Sequence, residues 1–157
     1  MLAAGCSMLE PPREAAEPVP PPGQPPASPP AAQPSPGRPP LAVSSARSVD
    51  EYKVDVAHAV LHASAEHTFI GRLPDVLKSI VVLHVSVDRN GFPYQVRLFR
   101  SNGYRDLEAR AIQSVRAASL PRPNGTLTSG SGSVSFTETW LFRDDGKFQI
   151  RSVAGPQ

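Results

Sequence analysis

Four histidines, a pair of adjacent carboxylates, a Ser/Gly run and a single cysteine are the residues whose types and spacing could do chemistry. His58 and His62 stand four apart where a helix is expected, a spacing that can place two imidazoles on one metal ion. In a zinc-peptidase helix the residue after the first histidine is a general-base Glu, and here it is Ala59. With His67 nearby, the pair reads as a helix surface carrying histidines, and neither a metal nor another cofactor is expected. His84 alternates with apolar strand residues and reads as a sheet-face side chain. Asp144 and Asp145 precede Gly146, as acids in a turn commonly do. The run Ser129-Gly130-Ser131-Gly132-Ser133 lacks the Gly-x-Ser-x-Gly elbow of a hydrolase and the Lys of a phosphate-binding loop. It reads as a flexible connection. No nucleophile, base and orienting group assemble from these residues, so the chain is not expected to be an enzyme.

Composition divides the chain. Of its 19 prolines, 14 fall between Pro11 and Pro40. A stretch so rich in Pro, Ala, Gln, Ser and Gly cannot bury enough apolar surface to offset its conformational entropy, so residues 11–47 are expected to form a disordered spacer. In polyproline II geometry the Pro-rich part would reach on the order of 90 Å. Residues 48–157 remain as one domain of ordinary size. The net charge of +2 is spread through this part with no basic run, so nucleic acid is not an expected partner. Arg97, Arg100 and Arg105 read as solvated charge, or as a basic patch for headgroups or cell-wall anions.

A lone cysteine excludes an internal disulfide. Its place is more informative. Leu2-Ala3-Ala4-Gly5-Cys6, within residues 1–10, resembles the lipobox of bacterial lipoproteins, in which the cysteine thiol receives a diacylglyceryl group. The resemblance implies lipidation at Cys6 and a periplasmic protein anchored to a bacterial membrane. Ser7 in place of Asp after the cysteine implies the outer membrane, with the inner membrane as the other choice. The Pro-rich spacer would hold the domain clear of the bilayer.

The elements of the domain follow from periodicity. Ser48-Val49-Asp50-Glu51 has capping-box spacing and predicts a helix to about His62, with Tyr52, Val56 and Val60 on its apolar stripe. Val81, Leu83, Val85 and Val87 alternate with Val82, His84 and Ser86, as in a half-buried strand. Asp88-Arg89-Asn90-Gly91 is turn chemistry, and Tyr94, Val96 and Leu98 alternate on the returning strand. Ser101-Asn102-Gly103 offers a cap for a second helix carrying Leu107, Ala111, Ile112 and Val115, in which Asp106 can pair with Arg110. Val134, Phe136, Trp140 and Phe142 share one face of a third strand with Glu138. Asp144-Asp145-Gly146 turns the chain into a short fourth strand with Phe148 and Ile150, extending toward Val153. The expected fold is α+β: an antiparallel sheet of three to four strands with two helices packed on one face.

In order along the chain, the Asn-Gly turn, Val96-Arg97-Leu98, Ser101-Asn102-Gly103-Tyr104, Asp106-Leu107-Glu108-Ala109 and Leu120-Pro121-Arg122-Pro123 resemble the TonB C-terminal domain family. The first helix and the strand through Trp140 extend the likeness over most of the domain. That family reaches across the periplasm and pairs a short receptor peptide with the third strand of the domain. Carried over by position, the partner-binding edge strand would comprise Ser133, Val134, Ser135, Phe136, Thr137, Glu138, Thr139, Trp140, Leu141 and Phe142. A fourth strand folding back at Asp145 would compete for the same edge. The resemblance implies a non-enzymatic protein binding a partner in the bacterial envelope, such as a TonB-dependent outer-membrane receptor. The other expectations are a true energy transducer whose membrane helix is missing from this chain, and a structural lipoprotein that binds cell wall.

Overall fold

The computed structural model describes residues 41–154. Cys6 and the Pro-rich stretch to residue 40 lie outside the described residues. Helix α1 (Val49–Ala63) and α2 (Arg105–Ala117) pack with strands β1 (Ser79–Asp88), β2 (Pro93–Arg100), β3 (Ser133–Phe142) and β4 (Phe148–Ile150). The sheet is antiparallel throughout, in the order β2-β1-β3-β4. This is the α+β architecture that the alternating patterns predict.

The period-two pattern sorts the sheet into a core face and an open face. Val81, Leu83, Val85 and Val87 of β1 stand beside Trp140, Glu138, Phe136 and Val134 of β3. They share one apolar core with Tyr52, Val56 and Val60 of α1 and with Leu107, Ala111 and Val115 of α2. Trp140 and Phe142 are core residues, 1% and 0% exposed. The Trp140 indole N–H donates to Ser114 Oγ at 3.1 Å, which satisfies its polar edge inside the core.

Helix α1 starts where its capping box predicts. The Glu51 N–H donates to Ser48 Oγ at 3.2 Å. The reciprocal carboxylate bond is shifted by one residue, because Glu51 Oε2 accepts from the Arg47 N–H at 2.6 Å rather than from Ser48. The domain also begins earlier than residue 48. Ser44 and Ala46 are buried, Val43 bridges to Arg122, and the Ser44 hydroxyl donates to Asp55. Residues 41–47 therefore belong to the fold and not to the spacer. Their few apolar side chains gave no periodic signal, so this docking was visible only in the tertiary structure.

Helix α2 departs from its expected local bonds. Tyr104 is its N-cap residue and makes no side-chain capping bond. Asn102 instead accepts from the Ser79 hydroxyl and donates to the Lys78 carbonyl, tying the β2–α2 loop to the start of β1. Arg110 donates to the Gly146 carbonyl at 2.9 Å in place of pairing with Asp106. Both are cases of a long-range partner displacing a local one. Val153 lies in a 3-10 turn (Arg151–Val153) after β4 and still packs against the core.

Tyr52 links α1 to the chain after α2, because its hydroxyl donates to the Pro121 carbonyl at 2.8 Å. Its burial, with Asp55 and Asp88 adding negative potential, pushes the phenol upward from its ordinary value. Below pH of about 10 folded and unfolded chains both hold this proton, so its titration does not alter stability. Above that pH the unfolded chain releases the proton while the fold retains it. Stability therefore falls as pH rises, by up to about 1.4 kcal/mol per pH unit from this group. Tyr52→Phe should cost about 1 kcal/mol at neutral pH for the lost hydrogen bond. It should also flatten the stability loss between about pH 10 and 12 in denaturant titrations. Parallel curves for the two proteins over that range would refute the assignment.

Candidate docking edges of the sheet

Among the described residues no three His, Cys, Asp or Glu side chains gather where one metal ion could sit. His58, His62 and His67 are exposed, and His84 lies half-buried on the open face of the sheet. Asp145 is occupied by its own turn, accepting from Arg143 at 2.9 Å and from the Lys147 N–H at 3.0 Å. The described residues include no helix long and apolar enough to cross a membrane. Among the described residues, the margins of the sheet leave strand backbone without a neighbouring strand.

The third strand occupies an inner position in the sheet order, whereas the family resemblance implied an edge. Strand β1 runs along one side from Ser79↔Phe142 to Asp88↔Ser133. On the other side β4 covers Trp140, Leu141 and Phe142, so these three residues leave the proposed edge. The fold-back at Asp145 is responsible: the Arg143 N–H donates to the Lys147 carbonyl and the Gly146 N–H to the Arg143 carbonyl, closing a tight turn.

The rest of this side is capped at both ends by side chains. Backbone groups along a strand point alternately to its two neighbours. The Arg143 N–H meets Lys147 beside β4, and the Thr139 N–H meets its own neighbour, Glu138 Oε1, at 2.7 Å. Odd-numbered residues of β3 therefore direct their N–H and C=O groups outward. Glu138 also accepts from the Ser152 hydroxyl, which fastens the 3-10 turn beside this point. This explains an acid that is only 4% exposed on the core face. At the other end, Ser131 Oγ donates to the Ser133 carbonyl at 2.7 Å. Between the caps, Ser135 and Thr137 have no strand of the described residues beside them on this side. Both are exposed, whereas Val134 and Phe136 point into the core.

Comparison with protein-family models, curated proteins and solved structures gives no match. The geometry is therefore the basis for a functional reading. Periodicity placed Val134, Phe136, Glu138, Trp140 and Phe142 on one strand, and the range carried over from the resemblance coincides with β3. Sequence reasoning missed the caps, because a serine two residues before a strand and a glutamate within it carry no distinctive signal. It placed β2 as the strand returning from the Asn-Gly turn but did not mark it as the other margin of the sheet, where among the described residues it has a neighbour on one side only.

Proposed function

We propose that this chain is a non-enzymatic binding protein of the bacterial envelope, lipid-anchored at Cys6, whose domain holds an extended segment of a protein partner by strand addition. The partner class is an outer-membrane receptor or another envelope component, and the Pro-rich spacer sets the domain's reach from the membrane. The observation that supports this reading is the uncapped stretch of β3 at Ser135 and Thr137, where outward backbone groups border a well-packed sheet. A short peptide can satisfy such groups while its side chains rest on neighbouring pockets. The TonB-like order of turn, helix and strand motifs supports it from the sequence side.

Two measurements test it. Expression behind the native upstream coding region, followed by intact-mass analysis, should give a chain beginning at diacylated Cys6, and Cys6→Ser should abolish the lipid mass. A photo-crosslinker at Ser135 in intact envelopes should capture a discrete partner. Thr137→Pro removes only an outward N–H, sparing the β1 ladder, and should reduce that capture by about tenfold. Undiminished capture by Thr137→Pro would dismiss the β3 edge.

A further inference from the structure

Strand β2 is paired with β1 on one side, from Val82↔Arg100 to Val87↔Pro93, and among the described residues has no strand on the other. Its pairing slips twice. Leu98 and Arg100 stand opposite consecutive residues of β1, which leaves Phe99 as an extra residue, and Tyr94 is left over in the same way between Pro93 and Gln95. These β-bulges re-aim the side chains around them.

The consequence is chemical. In a regular strand Arg97 and Arg100, three apart, would point to opposite faces. The slip at Phe99 sets them opposite His84 and Val82, two residues of the open face. Gln95, opposite Ser86, completes the row, and Arg97 donates to its Oε1 at 3.2 Å. Among the described residues neither arginine forms an ion pair with a carboxylate. Phe99 is 71% exposed and Leu98 is also exposed along the strand, whereas Tyr94 reaches across the sheet and donates its hydroxyl to Ser133 Oγ of β3 at 3.2 Å. An edge without a neighbouring strand among the described residues, with exposed Leu98 and Phe99 and two guanidinium groups lacking counter-charges, is complementary to one kind of strand. Positive charge protects an edge from pairing with its own kind, since a second copy would bring the same arginines, and it leaves the edge open to a strand of opposite sign.

We propose that the β2 edge docks an extended acidic segment of a partner protein, which adds as a fifth strand beside β2. Its carboxylates lie over Arg97 and Arg100, and its apolar side chains rest on Leu98 and Phe99. This surface is at the opposite margin of the sheet from Ser135 and Thr137, so the two docking assignments stand or fall separately.

The test uses the full chain, isotopically labelled for amide NMR, and a blocked ten-residue peptide of alternating Val and Glu as probe. Alternating Val and Lys is the control. Amide shifts should concentrate between Tyr94 and Arg100 with the acidic peptide, be absent with the basic one, and weaken between about 0.1 and 0.5 M salt. Arg97→Glu combined with Arg100→Glu changes two exposed side chains and should leave the fold intact. That variant should lose the acidic peptide by about tenfold or more and gain the basic one. Thr137→Pro should bind the acidic peptide as the parent does. Shifts confined to β3, equal response to both peptides, no response at millimolar peptide, or concentration-dependent self-association at β2 would each overturn the proposal.

Discussion

Trp140→Ala should lower the stability of the domain by about 3–5 kcal/mol, the largest effect expected of any single truncation in this fold. Trp140 is the largest fully buried side chain and lies on β3 opposite Val81, in the core shared by both helices. Its removal opens a cavity that the rigid sheet cannot close by collapse. It also strips Ser114 of the indole donor, although that hydroxyl still donates to the Ala111 carbonyl at 2.8 Å. Trp140→Phe separates the two contributions: it restores most of the volume and should recover more than half of the loss. Urea unfolding followed by far-UV circular dichroism measures both. A loss below about 1.5 kcal/mol for Trp140→Ala would mean that this packing does not hold the sheet to its helices.

Gly91→Ala should cost at least about 2–3 kcal/mol, more than is usual for a turn position, because two penalties coincide. Gly91 has φ +84°, which disfavours any side chain. A Cβ there would also lie 2.6 Å from the Leu120 carbonyl oxygen, which belongs to the segment after α2. Relief would require moving the backbone that also carries the Tyr52 contact at Pro121. Gly103, at φ +94° and with open space around it, is the control. Gly103→Ala bears the conformational penalty alone and should cost about 1 kcal/mol. Equal losses for the two variants, measured in the same denaturant titration, would remove the argument from close approach.

The hairpin containing Gly91 shows how sequence and structure divide the information. Asn90-Gly91 predicts a tight turn, and there is one. Only Gly91 has positive φ, however, and Asp88 organises the loop by accepting from the Asn90 and Phe92 N–H groups at 2.8 and 2.9 Å. The turn then feeds a strand whose simple alternation of Tyr94, Val96 and Leu98 does not persist. Tyr94 becomes an exposed bulge residue while Val96 stays in the core. Alternation reports burial when pairing is regular, and a bulge adds a residue whose placement depends on the neighbouring strand.

From the sequence alone came the antiparallel α+β fold, the two helices on one face, the N-cap at Ser48, and the core strands at Val81 and Trp140. These follow from local periodicity and from side chains within a few residues of one another. The docking of Ser44 and Ala46, the attachment of Asn102 to Ser79, and the bond from Arg110 to Gly146 were decided only by the tertiary structure. So were the closure of β3 by Glu138 and Ser131 and the joint facing of Arg97 and Arg100. Each depends on groups brought together by strand pairing or by the packing of a loop or helix, and no local pattern specifies which backbone edge will be left without a partner.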